Sequence, residues 1–261
     1  MLQKNNPSPH KKKMADESSS DDESGFGMLF KTTYELKEIE IGESTYRLLV
    51  SPAASTDYDK TGEVLWPAAY SLAKFIEANA SALRPTGTFL ELGAGMGLPS
   101  IVLLAKQPPA LLISSDHQRS VLTVLEKNIR AQLDRTPCDS KWCTFKFEWG
   151  LSAHLQAIKQ QAAQLLNQQH TACDFPGFDY IIASDVIYSS DAVDGLLTSV
   201  RSLLNPDGGI FVMAHRTRWT QVDKALEAGW EQHRIGPVED ASIYRSIELP
   251  TDEQIFIQRL L

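Results

Sequence analysis

Short apolar runs alternate along the chain with stretches in which apolar residues recur every three or four positions. The runs have the length and composition of buried β-strands, which are expected at residues 89–92, 111–115, 143–150, 178–183 and 210–214. The stretches around them have the periodicity of amphipathic helices, expected at residues 67–82, 121–129, 152–169, 192–204 and 221–228. Regular alternation of strand and helix predicts an α/β protein with a largely parallel sheet.

The two ends of this pattern depart from strict alternation. Residues 34–41 and 45–50 are β-rich and are separated by Gly42-Glu43-Ser44, which predicts an N-terminal β-hairpin. Residues 231–235 and 254–260 predict two C-terminal strands that pair in antiparallel fashion. The predicted fold is therefore a doubly wound, Rossmann-like sheet with an antiparallel C-terminal strand pair and an N-terminal hairpin.

The first 26 residues differ in composition from the rest of the 261-residue chain. They contain a Lys11-Lys12-Lys13 run followed by acids and serines, with almost nothing apolar to bury, which predicts a disordered tail. Three lysines are a poor nuclear signal, and a solvated charge run explains them better. Residues 27–261 are predicted to form one domain, with the hairpin and first helix in residues 33–82 and the core in residues 87–261.

The candidate chemistry centres on the turn after the first strand of the predicted core. Gly93, Gly95 and Gly97 let the backbone turn sharply and lie against a ligand, although tight packing of strand on helix explains them equally well. The spacing is G-x-G-x-G, not the G-x-G-x-x-G expected where a pyrophosphate sits on a helix N-terminus. Glu91, at the end of the strand, would repel phosphate and suits an ammonium group. The turn therefore favours a ligand without a diphosphate.

Asp116 ends the next predicted strand, 23 residues after Gly93. A carboxylate at this place in a doubly wound sheet can accept hydrogen bonds from both hydroxyls of a ribose. A ligand with an adenosine and an amino-acid moiety but no phosphate is S-adenosylmethionine, which is the predicted cofactor.

Composition narrows the classes of partner and compartment. A net charge of −8 makes nucleic acid an unexpected partner and favours cationic substrates through long-range attraction. No run approaches the ~20 apolar residues of a membrane span, and no early stretch has the apolar core of a signal peptide. A soluble cytoplasmic protein is expected, with the nucleus as a second location. Cys138, Cys143 and Cys173 lack metal-ligand spacing, so neither a disulfide nor a metal is predicted.

Six short motifs occur in order between residues 33 and 260: Val64-Leu65-Trp66-Pro67-Ala68-Ala69, Glu91-Leu92-Gly93-Ala94-Gly95-Met96-Gly97-Leu98-Pro99, Ser115-Asp116, Glu126-Lys127-Asn128-Ile129, Glu148-Trp149-Gly150 and Ala183-Ser184-Asp185-Val186-Ile187-Tyr188. Together they resemble the seven-β-strand protein-lysine methyltransferases of eukaryotes, which implies a seven-stranded sheet. The Asp-x-x-Tyr signature and the upstream Trp66 distinguish this group from other S-adenosylmethionine enzymes. The long helix at 152–169 and Ser189-Ser190 depart from the family pattern on the substrate side, which leaves the target protein open.

The resemblance implies a set of site residues. Those that would line the cofactor are Trp66, Glu91, Gly93, Gly95, Asp116, Trp149 and Ala183. Asp185 and Tyr188 would be catalytic, with Asp185 holding and orienting the substrate amine and Tyr188 supplying an aromatic wall and a hydroxyl. By physical reasoning alone, Asp185 could instead cap the next helix, and Trp66, Trp149 and Tyr188 could be packing residues. His215, Arg216 and Arg218 are candidates to shape a substrate groove or to form a solvated basic cluster.

The function that the sequence predicts is S-adenosylmethionine-dependent N-methylation of a lysine side chain on a protein substrate, by an enzyme that acts as a monomer. One alternative is methylation of a protein arginine or of a small-molecule amine. Another, of a different class, is a binding module that keeps the fold without the activity.

Overall fold

The computed structural model describes residues 34–52, 58–166 and 175–261. Its strands are β1 (Glu35–Ile41), β2 (Ser44–Val50), β3 (Thr88–Leu92), β4 (Leu111–Asp116), β5 (Lys141–Lys146), β6 (Tyr180–Ser184), β7 (Ile210–Arg216), β8 (Ile235–Pro237) and β9 (Glu253–Leu260). Its α-helices are α1 (Pro67–Ala78), α2 (Leu98–Lys106), α3 (Arg119–Arg135), α4 (Ser152–Leu165), α5 (Asp191–Leu203) and α6 (Thr220–Gln232). The tail predicted at residues 1–26 and Cys173 lie outside the described residues, and the domain boundaries remain a prediction.

The main sheet has seven strands in the order β5-β4-β3-β6-β7-β9-β8. The five strands from β5 to β7 are parallel to one another, whereas β9 runs antiparallel to both β7 and β8. β1 and β2 form a separate antiparallel hairpin. The predicted fold is therefore confirmed: a doubly wound sheet, an antiparallel C-terminal pair and an N-terminal hairpin.

Two apolar clusters cover the two faces of this sheet. One contains Leu72 of α1, Ile101 of α2 and Leu125 of α3, all fully buried. The other contains residues of α4, α5 and α6, such as Ile158 and Leu197. Because both faces are covered, the interior strand β3 is buried at every position, as expected of a parallel strand between two layers of helices. In the part of the chain that the structure describes, no helix combines the length and apolarity needed to cross a membrane.

Several predicted boundaries are wrong. β5 ends at Lys146 and not at residue 150, and α4 ends at Leu165, while residues 167–169 of its predicted span lie outside the described residues. α1 ends at Ala78 and not near residue 82, and a separate 3₁₀ turn follows at Ala80–Ala82. Only Ile235 of the strand predicted at residues 231–235 is strand, because α6 continues to Gln232, a turn follows and β8 begins at Ile235. Gly229, one position past the predicted end of the helix at residue 228, is buried and continues the helical period of Val222 and Leu226, so the packing of α6 extends the helix.

The reversal of strand order places a crevice beside β3. This strand pairs with β4 on one side and with β6 on the other, so the connections that follow β3 and β6 diverge. Ligands of doubly wound sheets bind outside the carboxyl ends of the strands at such a switch point. Leu92 pairs with Ala183, which brings the glycine turn after β3 opposite Asp185 after β6.

Candidate active site

A cleft of about 360 Å³ opens at the carboxyl ends of β3, β4 and β6. Its volume lies within the range of small-molecule sites, roughly 300–1,000 Å³. The predicted site residues that line it are Trp66, Gly93, Gly95, Asp116, Trp149, Asp185 and Tyr188. The fold therefore brings together side chains that are 122 positions apart between Trp66 and Tyr188.

The glycine turn forms the floor of the cleft in a backbone conformation that favours glycine. Gly93 and Gly95 have φ angles of +63° and +52°. A Cβ atom on Gly93 would lie 2.7 Å from Cγ1 of Val186, and one on Gly95 would lie 3.1 Å from the carbonyl oxygen of Gly62. The turn is held from below by Asn128, whose Nδ2 donates to the Met96 carbonyl (3.0 Å) and whose side chain also bonds the backbone of β2. The glycines thus keep the floor open, and Asn128 ties it to the hairpin.

Asp116 presents an oriented carboxylate at one side of the cleft. Oδ2 accepts a hydrogen bond from the Gly95 N–H (3.2 Å), and Oδ1 accepts one from the Gln118 N–H (3.1 Å). His117 Nδ1 lies 3.4 Å from Oδ1, and this hydrogen bond raises the pKa of the imidazole above its usual value. The carboxylate is therefore fixed in direction and lines the cleft, as binding to a ribose requires.

Trp66 and Trp149 provide flat apolar walls. Trp66 directly precedes α1 and donates from Nε1 to the Thr61 carbonyl (2.8 Å), which fixes the plane of its ring. Trp149 is placed by a close backbone contact: a Cβ on Gly150 would lie 3.2 Å from Cα of Gly195 in α5, and the Gly150 N–H donates to Ser199 Oγ (2.9 Å). Both indoles are part of the cleft lining and not only of the core.

Asp185 has an unusual backbone and a nearly inaccessible carboxylate. Its φ of +54° is left-handed, and its N–H is held by the Ala214 carbonyl (2.9 Å). Arg218 donates from Nη1 to Oδ1 (2.7 Å) and from Nη2 to Oδ2 (2.5 Å), and the Asp185 side chain is only 1% exposed. Asp185 does not cap α5, because that helix begins at Asp191 after Ser190. Strained non-glycine residues of this kind cluster at functional sites.

Aromatic rings surround the Arg218 guanidinium on the open side of the cleft. Its Cζ lies 5.5 Å from the ring centre of Trp66 and 6.0 Å from that of Trp219, within the range of cation–π attraction. Trp219 and Tyr188 both line the cleft and are 49% and 45% exposed. Large exposed aromatic groups at the mouth of a cleft mark a surface suited to binding an apolar or cationic segment.

Glu91 and Ala183 lie beneath the cleft and do not line it. Glu91 is fully buried; its Oε2 accepts a hydrogen bond from Ser100 Oγ, which lies 2.6 Å from Ser114 Oγ. Its Oε1 has no hydrogen-bond partner among the described residues. Burial raises the pKa of Glu91 from 4.5 to about 8, against the opposing effect of Ser100.

The raised pKa predicts that Glu91 lowers the free energy of unfolding as the pH rises. Between about pH 4.5 and 8 the folded protein holds a proton that the unfolded chain releases, so the free energy of unfolding decreases as pH rises through this window. Glu91→Gln should remove this contribution, which is at most about 1.4 kcal/mol per pH unit. Urea denaturation at pH 5, 6.5 and 8 measures the free energy of unfolding. Glu126→Gln is the control: this α3 side chain is half-exposed, so the variant should keep the parent's dependence of that free energy on pH. Parallel profiles for parent and Glu91→Gln would contradict the prediction.

Several residues that line the cleft were not predicted from the sequence, and three of them carry polar or aromatic side chains at its mouth. His117 and Trp219 were not singled out, and Arg218 was named only as one of three basic candidates. Of those three, Arg218 alone lines the cleft; His215 is buried with Nε2 3.1 Å from Asp223, and Arg216 bonds Asp252 at 2.5 Å. Their position along the chain could have indicated Arg218 and Trp219, because residues 217–219 directly follow β7, whose carboxyl end lies at the same edge of the sheet as the cleft.

Solved structures of similar fold support the architecture. A provisionally named methyltransferase complexed with SAH has a TM-score of 0.56 at 12% identity, covering 87% of this chain and 56% of the other. A provisionally named SAM-dependent methyltransferase from Streptococcus mutans has a TM-score of 0.52 at 13% identity, with coverage of 87% and 56%. At such low identity the likeness extends to the fold.

Sequence comparison connects the chain to named relatives. It is 30% identical over 176 residues to the human protein-lysine N-methyltransferase EEF2KMT, covering 64% of this chain and 50% of the relative. It is 24% identical over 178 residues to the protein N-terminal and lysine N-methyltransferase EFM7 of Candida albicans, with coverage of 67% and 65%. The match thus spans half to two thirds of each relative's length. The sequence profile described as lysine methyltransferase matches residues 53–228, which is more than half of the chain. The chain therefore belongs to the lysine methyltransferase family.

Proposed function

We propose that this protein transfers a methyl group from S-adenosylmethionine to the side-chain amine of a lysine in a protein substrate. The observation that carries the proposal is one cleft with two different sides. The oriented carboxylate of Asp116 and the open glycine floor lie on one side, and the carboxylate of Asp185 lies with exposed aromatic rings on the other. The first side suits a nucleoside with an amino-acid moiety, and the second suits an aliphatic cation. Family membership gives the same reaction class.

The residues on the first side fit the cofactor. Gly93 and Gly95 leave space at the floor for the methionyl part, Asp116 accepts the ribose hydroxyls, and the Trp149 ring lies where it can pack against adenine. Glu91, beneath the floor, acts on the ammonium group only through the groups around it. When bound, the cofactor supplies a methyl group that is already activated on a sulfonium, so the protein's task is to align the acceptor and exclude water.

The residues on the second side fit the acceptor. A lysine must reach the cleft, lose one proton and point its lone pair at the methyl carbon. Asp185 holds the amine through its carboxylate, while the rings of Tyr188 and Trp219 pack along the methylene stem of the side chain. The fixed backbone of Asp185 keeps its carboxylate aimed into the cleft as the amine approaches.

Asp116→Ala should weaken S-adenosylmethionine binding by about 1 to 3 kcal/mol, because the ribose hydroxyls would lose a charged acceptor and Gly95 would lose its partner. Isothermal titration calorimetry measures the change. Asp116→Asn, which keeps the size and one oxygen, should fall between the parent and the alanine variant. Unchanged affinity in a folded alanine variant would remove Asp116 from the site, and tighter binding of NAD than of S-adenosylmethionine by the parent would overturn the assignment.

The reaction itself is tested by radiolabelled methyl transfer. The parent protein is incubated with labelled S-adenosylmethionine and a cell extract, and the labelled band and residue are identified by mass spectrometry. Label on a lysine supports the proposal, whereas label on arginine or on a small amine supports the alternative enzymes. Cofactor binding without transfer into any acceptor would favour a non-catalytic binding module. An intact glycine floor and an oriented Asp116 argue against that module.

A further inference from the structure

The carboxylate assigned to the substrate amine is covered by another cation. Both oxygens of Asp185 accept hydrogen bonds from Arg218, at 2.7 and 2.5 Å, and only 1% of the side chain is exposed. An amine that enters the cleft therefore cannot reach this carboxylate while the pair is formed. Either Asp185 never contacts the acceptor, or Arg218 moves away.

The site that Arg218 occupies is built for a cation in general. It consists of one carboxylate and two indole rings, Trp66 and Trp219, with centres 5.5 and 6.0 Å from the guanidinium carbon. A carboxylate and aromatic faces attract an ammonium group as well as a guanidinium, and the exposed Trp219 ring can pack on methylenes. Nothing in this set selects the planar guanidinium except the two parallel hydrogen bonds.

The two partners differ in how firmly they are held. Asp185 is fixed through its backbone N–H, which donates to the Ala214 carbonyl independently of Arg218 (2.9 Å). Arg218 belongs to residues 217–219, which join β7 to α6 and are neither helix nor strand, and 22% of its side chain is exposed. Breaking the pair therefore leaves Asp185 in place and releases Arg218 towards solvent.

A second carboxylate, that of Asp252, interacts with the charge of Arg218. The hydrogen bond from Arg216 is the main reason that the pKa of Asp252 lies below its usual value, and the charge of Arg218 contributes to the same lowering. Asp252 is 38% exposed, so it can accept a further cation without new burial of charge.

We propose that Arg218 is an internal placeholder for the substrate: it occupies the cation site formed by Asp185, Trp66 and Trp219, and the acceptor lysine binds by displacing it. This inference rests on the proposed function and adds a specificity-determining residue to it. Only molecules in which Arg218 has left Asp185 can bind the cation. The apparent dissociation constant is therefore the intrinsic one divided by the fraction of such molecules. The protein admits only a side chain that contacts the aromatic rings as well as the carboxylate.

The test measures binding of n-butylammonium chloride, a mimic of the lysine side chain, through the change in tryptophan fluorescence. Sodium chloride at equal concentration is the control for ionic strength. Arg218→Gln should lower the dissociation constant at least tenfold relative to the parent, because the competing cation is gone. The double variant Asp185→Asn/Arg218→Gln is the matched control and should lose the gain. Guanidinium chloride at non-denaturing concentrations should compete with n-butylammonium in Arg218→Gln.

Several outcomes would overturn the inference. They are unchanged or weaker binding by Arg218→Gln, an equal gain in the double variant, or enhancement by guanidinium instead of competition. If Arg218→Gln does not fold, Arg218→Lys takes its place: a single ammonium holds Asp185 less firmly than the guanidinium fork, so a gain of roughly threefold is expected and none would refute the idea. None of these measurements needs methyl transfer. Transfer by the parent without a gain overturns this inference alone, and a gain without transfer overturns the proposed function alone.

Discussion

Asp185→Asn should lower turnover by roughly 10² or more while leaving S-adenosylmethionine affinity within a few-fold of the parent. In the proposed function the carboxylate serves the acceptor, whereas the glycine floor and Asp116 serve the cofactor; all of them line the same cleft. Asparagine has nearly the same shape and tolerates the left-handed φ of +54° better than other residues do, so the backbone should stay in place. A fall in turnover can then be attributed to the loss of the carboxylate's charge.

The measurement is single-turnover methyl transfer beside calorimetric titration of the cofactor. Loss of one charged partner of Arg218 should also reduce the free energy of unfolding by about 1 to 3 kcal/mol. Asp194→Asn removes a carboxylate of α5 that pairs with His233, away from the cleft lining, and should leave turnover at the parent's level. Full activity in Asp185→Asn would show that the Asp-x-x-Tyr stretch was misinterpreted, and loss of cofactor binding together with stability would make Asp185 a structural residue.

Gly93→Ala should strongly destabilise the protein. Alanine at a φ of +63° costs about 1 to 2 kcal/mol. Its Cβ would also lie 2.7 Å from Cγ1 of the buried Val186, and overpacking of this kind costs about 1 to 3 kcal/mol more. We therefore expect the free energy of unfolding to fall by about 2 to 5 kcal/mol. Cofactor affinity should fall as well, since the added methyl group enters the floor of the cleft.

Gly208→Ala separates these two effects. Gly208 has a φ of +88°, but the nearest atom to an added Cβ is Nη2 of Arg84 at 3.6 Å, which is ordinary contact. This variant should lose only the conformational part, about 1 to 2 kcal/mol, and should bind S-adenosylmethionine as the parent does. Chemical denaturation and calorimetry of both variants check the comparison. Equal losses of stability in the two would mean that Val186 moves aside and that the floor is less tightly packed than the structure indicates.

The fold could be predicted from the sequence because its signals are local. The apolar run at Phe89–Leu92, the glycines after it and the helical spacing that follows specify strand, turn and helix within a few positions of one another. Predictions failed at the ends of elements, as in α6, which continues past residue 228 to Gln232 with Gly229 buried. The sequence places Asn128 only within a motif. Its role in holding the glycine turn depends on hydrogen bonds to residues as far as 79 positions away, which the sequence does not show.

By itself, the sequence determined the α/β architecture, the glycine floor and the placement of Asp116 and Asp185 at strand ends, since parallel strands align their carboxyl ends at one edge. The tertiary structure alone decided the surroundings of those groups. It placed Arg218 on Asp185 across 33 positions, put Trp219 at the mouth of the cleft and buried Glu91 below the floor. Charge pairing and desolvation depend on which side chains meet in space, and the order of residues along the chain does not record those distances.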